Sequence, residues 1–287
     1  MRAFEYFEPK TVGEATKYLL DLGETARILA GGVDLIPRMR KEEFKTDYVV
    51  NIQRIEGLDR IDYESGKGLR FGAFATLHAL EVSGWVRKGY PAFYEAIHQI
   101  ASVQTKYMGT AVGNLCVGTP ASDVATALYA HGASLSISGA EGERIEPIQD
   151  FCTDYRCTSL KKGEMVTGVS LPPMKTGEAC GFANLVRTRA DIAKLTVAVS
   201  ITTEKDVCRE ARIAIGAAAP TVFRASKAEK TLVGRTLTPQ AITEAAEGAS
   251  KETRPISDLR SSAEYRKEMT RVLVRRALER AFAGAKG

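Results

Sequence analysis

Two glycine-bearing segments constrain this chain more than any other feature. The first is Ala30-Gly31-Gly32-Val33-Asp34-Leu35, and the second is Thr110-Ala111-Val112-Gly113-Asn114-Leu115-Cys116, followed by Pro120-Ala121-Ser122-Asp123. In the first, a strand-like run over 26–30 breaks at a glycine pair and passes into a helical turn over 35–40. Glycine admits positive φ and lets another group approach with no Cβ in the way. Successive N–H groups in such a turn form a concavity for anions. A helix start behind it adds partial positive charge. Phosphate is the natural occupant, and a plain strand-to-helix turn is the competing reading of this segment taken alone. The second has similar ingredients: a hydroxyl, a glycine, and an Asn that tolerates left-handed backbone. Neither is GxGxxG between a strand and a helix, and no GxxxxGK[ST] loop occurs, so a nucleotide here needs another fold. Asp123 reads alone as a carboxylate favouring a helix dipole, and beside a nucleotide as an acceptor for ribose hydroxyls.

The rest of the pattern sets these segments in an α+β chain. Thr11-x-x-Glu14 predicts a capped helix, and 48–52 predicts a second strand, so a small unit ends near residue 55. Strands at 60–63 and 69–72 flank the hairpin Glu64-Ser65-Gly66-Lys67-Gly68. Helices are expected after Thr76, after Pro91 and over 121–130. A second hairpin joins 134–138 to 144–147, and a strand over 166–171 ends at Pro172-Pro173. That double proline with Lys175-Thr176-Gly177 is the best linker. Beyond it, strands at 195–202 and 211–216 precede helices at 224–232, 239–250 and 263–282, an order that suggests a separate α+β unit. The expected division is 1–55, 56–174 and 175–287.

Charge and cysteine usage exclude several classes. The net charge of +5 is mild for 287 residues. The late cluster Arg266, Lys267, Arg271, Arg275, Arg276 and Arg280 reads as a solvated helix face, with no nucleic-acid motif beside it. Five cysteines in no CxxC spacing, and no apolar leader, suggest reduced thiols in the cytoplasm. His78, His98 and His131 are scattered, which argues against a zinc site. No apolar run is long enough to span a membrane.

Taken together, the two segments resemble the FAD-binding medium subunits of molybdenum hydroxylases, the carbon monoxide dehydrogenase medium subunit and xanthine dehydrogenase FAD subunit type. That family's AGG[TH][DS]L is matched by Ala30 to Leu35. Its T[IV]GGNLC and SPxxD are matched by Thr110 to Cys116 and by Thr119 to Asp123. A weaker third segment is matched by Phe182, Arg187 and Asp191-Ile192-Ala193. The resemblance covers essentially the whole chain. It implies a two-subdomain FAD-binding fold of the PCMH (vanillyl-alcohol oxidase-like) type, followed by a C-terminal α+β domain.

The resemblance also implies a site. Leu29, Ala30, Gly31, Gly32, Val33, Asp34 and Leu35 would line one side of the FAD pyrophosphate, and Thr110, Ala111, Gly113 and Asn114 the other. Asp123 would hold ribityl or ribose hydroxyls, and Ile100, Val166 and Phe182 would contact the rings, with core packing the competing reading for these three. Val33 replaces a commonly polar residue. Val112 replaces the first glycine of the usual pair, which is costly if that position needs positive φ. No catalytic residue and no metal ligand is assigned to this chain, and no Cys-rich insertion for an extra cluster is present. The implied function is electron transfer: partner [2Fe-2S] clusters pass electrons through FAD to an external acceptor such as NAD or a quinone. The implied partners are a large molybdopterin-binding subunit and a small [2Fe-2S] subunit, arranged as a dimer of heterotrimers. The rival functions are a self-sufficient FAD-dependent oxidoreductase and a non-catalytic assembly factor with weakened FAD binding.

Overall fold

Thr11 caps the first helix as its spacing predicts, its Oγ1 accepting from the Glu14 N–H at 3.1 Å. The Glu14 carboxylate reaches back to the Lys10 N–H at 2.7 Å, one residue earlier than in a standard capping box. The computed structural model describes residues 1–285. Its first unit runs β1 (Glu5–Phe7), α1 (Val12–Leu22), β2 (Ala26–Leu29), α2 (Leu35–Arg40) and β3 (Tyr48–Asn51), with the strands in a parallel sheet of order β1-β3-β2. The sequence pattern gave no sign of β1. It is three residues long, two of them exposed, and its partner β3 is distant in sequence, so no local alternation marks it.

The second unit starts with the expected hairpin, β4 (Ile61–Glu64) and β5 (Gly68–Gly72). Six helices follow: α3 (Leu77–Val82), α4 (Gly84–Gly89), α5 (Pro91–Gln99), α6 (Val103–Met108), α7 (Ala111–Cys116) and α8 (Asp123–His131). Then come β6 (Ser134–Gly139), β7 (Gly142–Pro147), α9 (Ile148–Phe151), β8 (Cys152–Asp154), β9 (Cys157–Thr158) and β10 (Met165–Leu171). Five of these strands form an antiparallel sheet of order β4-β5-β10-β6-β7, and β8 and β9 form a separate pair. The buried Tyr90 hydroxyl accepts from the Leu69 N–H at 3.0 Å and donates to the Pro172 carbonyl at 3.1 Å, fixing the end of β10 where the double proline begins.

The third unit is strands first and helices after, as its pattern predicts. It comprises β11 (Glu178–Leu185), β12 (Leu195–Glu204), β13 (Val207–Gly216) and β14 (Phe223–Arg224), then α10 (Ser226–Leu232), α11 (Pro239–Glu252) and α12 (Ala263–Ala285). The two-residue period decides what each face of β12 meets. Leu195, Val197, Val199 and Ile201 pack with Leu273, Val274 and Leu278 of α12. Ala198 faces the other way and joins the core of the preceding unit, and Thr196 reaches α8. This inner strand of the sheet is thus buried on both sides and ties the last unit to the one before it. The mixed α+β class read from the sequence is the class observed. Among the described residues no helix is long and apolar enough to cross a membrane, and all five cysteines are free.

Candidate functional site

β2 delivers the first glycine segment, and pairing with the next strand fixes its entry. The Leu29 carbonyl accepts from the Ile52 N–H at 3.1 Å, and the Ala30 carbonyl accepts from Gln53 Nε2 at 2.7 Å. Gly32 takes φ +71°, the left-handed region that glycine enters without a Cβ penalty. Its carbonyl accepts from the Ile36 N–H at 3.0 Å, so α2 starts immediately. Among the described residues, the N–H groups of Gly31, Gly32, Val33, Asp34 and Leu35 have no hydrogen-bond acceptor. Asp34 does not aim its carboxylate into this loop. Its Oδ2 accepts from Arg38 Nη1 at 3.1 Å, and Arg38 also binds Glu43 at 2.9 Å.

The second segment is built differently. The sequence noted an Asn that tolerates left-handed backbone and assigned no helix here; the structure makes the segment the N-terminal turn of α7. Thr110 is the cap, its Oγ1 accepting from the Gly113 N–H at 3.0 Å. Val112 and Asn114 are both helical, and neither has positive φ. Val112 is 4% exposed and packs into the core, so the conformational cost feared for a β-branched residue there does not arise. The N–H groups of Ala111 and Val112, at the first two helical positions, have no intrahelical partner. Asn114 Oδ1 accepts from Ser122 Oγ at 2.5 Å, and Ser122 caps α8 by accepting from the Ala125 N–H at 2.9 Å.

Gly31 meets the chain just ahead of the second segment, at Met108 and Gly109, whereas Thr110, Ala111, Gly113 and Asn114 do not line the cleft beside it. A Cβ on Gly31 would fall 1.8 Å from the Met108 carbonyl oxygen, so only glycine permits this approach. The contact places the Gly31–Leu35 turn beside the end of α6, two residues before the Thr110 cap. Beside it lies an open cleft of about 400 Å³ lined by Leu29, Gly31, Gly32, Val33, Gln53 and Met108. Val33 is 43% exposed at its mouth. Gln53 and Met108 carry no sequence signal of their own; only the register of β2 with β3 and the end of α6 bring them there.

Other candidate residues stand apart from this cleft. Asp123 is the first residue of α8 and is buried against the third unit, where Thr196 Oγ1 donates to its Oδ1 at 2.5 Å. Burial raises its carboxyl to about 6, against the opposing hydrogen bonds of Thr196 and Asn184. Ile100 ends α5 and is half-buried against the core. Val166 and Phe182 are 3% and 0% exposed inside that core, and neither lines the cleft. Arg187 and Asp191 form an ion pair at 3.2 Å in an exposed loop.

Comparison with known proteins gives the geometry a family context. Residues 2–174 match the model of the FAD binding domain in molybdopterin dehydrogenase, and residues 181–281 match the CO dehydrogenase flavoprotein C-terminal domain. The carbon monoxide dehydrogenase medium chain of Afipia carboxidovorans is 36% identical over 284 residues, covering 99% of this chain and 98% of the relative. The glyceraldehyde dehydrogenase medium chain of Sulfolobus acidocaldarius is 30% identical, covering 96% and 97%. Among solved structures, carbon monoxide dehydrogenase from Hydrogenophaga pseudoflava superimposes with a TM-score of 0.95 at 32% identity, covering 98% of both chains.

Proposed function

The chain belongs to the FAD-binding flavoprotein subunits of the molybdopterin dehydrogenases, and from that premise we propose that the two glycine segments form one cradle for the FAD pyrophosphate. The observation that supports this reading is the contact of Gly31 with the Met108 carbonyl, which brings the turn bearing the first row of unpaired N–H donors to within two residues of the Thr110 cap that starts the second. Donors without acceptors are what a phosphate chain satisfies.

Gly31, Gly32, Val33, Asp34 and Leu35 contribute the first row through their backbones, so the apolar side chain of Val33 costs nothing essential. Leu29 and Ala30 fix its position. Thr110 fixes the second row, and Ala111 and Val112 supply it, with Gly113 already committed to the cap. Asn114 is oriented by Ser122 through its Oδ1, which leaves its amide N–H₂ free to donate. Asp123, held by Thr196 and Asn184, keeps acceptor capacity for a hydroxyl. Ile100, Val166 and Phe182 act through packing.

Bound FAD would supply the redox chemistry, taking electrons from partner [2Fe-2S] clusters and delivering them to an external acceptor such as NAD or a quinone. The residues of this chain bind and orient; none needs to move a proton for single-electron input. Relatives are named for substrates as different as carbon monoxide and glyceraldehyde. That supports placing substrate choice in a large molybdopterin subunit, with a small [2Fe-2S] subunit between it and this chain. A dimer of such heterotrimers in the cytoplasm completes the reading. The assembly-factor alternative leaned on Val33 and Val112; Val112 is helical and buried, which leaves that reading only Val33.

The test is to purify the chain with whatever travels with it, and to measure flavin, molybdenum and iron. One FAD per chain, with molybdenum and iron in separate partner subunits, is the expected result. A colourless chain that takes up no FAD on reconstitution sinks the proposal. Reduction of the isolated yellow chain by a small organic substrate would instead make it a self-sufficient oxidoreductase.

A further inference from the structure

Lys106 is a cation buried to 4% exposure, one turn before the cradle. Its ammonium donates to Glu81 Oε1 at 2.8 Å and to the His98 carbonyl at 2.9 Å. Glu81 lies on α3 and His98 on α5, so one side chain of α6 fastens three helices together. His98 Nδ1 lies 2.8 Å from the same Glu81 oxygen. A carboxylate only accepts, so this imidazole nitrogen carries the proton. Partial burial alone would raise the Glu81 carboxyl; the hydrogen bonds from Lys106 and His98 outweigh it and hold it below its usual range.

The segment that Lys106 closes is under strain. Between α5 and α6 the chain turns at Ala101, which takes φ +52°, a region unfavourable for any residue with a Cβ. The bond from Lys106 to the His98 carbonyl spans this turn and keeps it shut. The other end of α6 supplies the Met108 carbonyl against Gly31. Directly after it, the Gly109 carbonyl accepts from the Leu77 N–H at 2.8 Å and Thr110 caps α7. Where α6 sits therefore decides the spacing of the two rows of N–H donors.

We propose that Lys106 is the positioning residue of the dinucleotide cradle: anchored by Glu81 and the His98 carbonyl, it holds α6 so that Met108 and Thr110 stand at the correct distance from Gly31. The inference rests on the cradle reading above and specifies what builds it. Lys106 does not itself touch the phosphates; its charge is spent on Glu81. Its influence is thus on a ligand that must bridge both segments. FAD has a pyrophosphate that does so, and FMN, with one phosphate, does not.

The experiment uses the full chain freed of flavin, titrated with FAD and with FMN by flavin fluorescence, with thermal unfolding of the apoprotein alongside. Lys106→Met is expected to weaken FAD binding about tenfold or more, equivalent to about 1.4 kcal/mol, while leaving FMN binding as strong or as poor as in the unaltered chain. Glu81→Gln keeps an acceptor for the ammonium and is expected to stay within about threefold for FAD. The double variant Lys106→Met with Glu81→Gln removes both charges. It is expected to unfold near the unaltered temperature yet bind FAD as weakly as Lys106→Met alone. Equal FAD binding by Lys106→Met and the unaltered chain overturns the proposal, as does a parallel loss of FAD and FMN binding in the double variant. An unaltered chain that binds FAD no better than FMN refutes the cradle itself, a separate outcome.

Discussion

The two halves of the proposed cradle offer the same chemistry by opposite means. The Gly31–Leu35 turn is a loop whose donors are bare because glycine conformations leave them so. The Thr110–Asn114 turn is a helix start whose first donors are bare because every helix leaves its first N–H groups unpaired. In the first, identity matters at the backbone: Gly31 is required by contact and Gly32 by φ. In the second, one cap hydroxyl does the shaping, and the position that family likeness marks as glycine carries a buried valine. The lesson is that a glycine motif need not mean a glycine requirement at each of its positions.

Substitutions can break or sharpen this contrast. The largest effect is expected from Gly31→Ala, whose Cβ meets a main-chain carbonyl that cannot swing aside. Separation of the segments should weaken FAD binding by at least about a hundredfold, about 2.7 kcal/mol; equal affinity by fluorescence titration would show that the contact does not set the site. Next comes Val112→Gly, the change that restores the family's glycine pair. It removes a buried side chain and adds helix entropy, so chemical denaturation should show a loss of about 3 kcal/mol. A gain in stability would place the second segment in the same class as the first.

The third effect is in pH. Asp123 titrates near 6 when folded, above its ordinary value of 3.8, with burial the main cause. The native state therefore holds the extra proton, and stability falls as pH rises from about 4 to about 6. In the flavin-free chain this slope should account for up to about 3 kcal/mol, and it should flatten in Asp123→Asn; an unchanged slope assigns the pH response elsewhere. Smallest is Thr110→Ala, a lost cap worth about 1 kcal/mol, read as a modest drop in unfolding temperature. A much larger loss would mean that Thr110 also holds the Met108 contact.

What the sequence could say about each half follows from the same contrast. The strand into Gly31 was legible because β2 is followed by a helix and its break is a glycine pair. The second segment was legible as a motif but not as a helix, because a six-residue helix has too few positions for its periodicity to register. α4 and α6 escaped for that reason too. β11 reads Glu-Ala-Cys-Gly-Phe-Ala-Asn-Leu, small residues with no clean alternation, and exists because β12 offers it a full antiparallel edge. The long helices α11 and α12 and the strands β12 and β13 were visible, being long enough to repeat their pattern. The partners of Asp123 were not visible: Thr196 and Asn184 come from strands of the third unit, and no local rule links them to α8. Nothing in the sequence sets Lys106 apart from the other lysines, and only the convergence of three helices buries it.

The contact between Gly31 and the Met108 carbonyl also bears on the order of events in making the active protein. The two residues are far apart in the chain, and a long loop must close before they touch. An N-terminal fragment ending before α6 holds half a site and has nothing for a pyrophosphate to bridge. If the proposed cradle holds the pyrophosphate, cofactor capture would wait until the second unit has assembled, and a nascent chain still leaving the ribosome would not trap flavin on a half-built fold. On the proposed cradle, flavin content would report on completed folding.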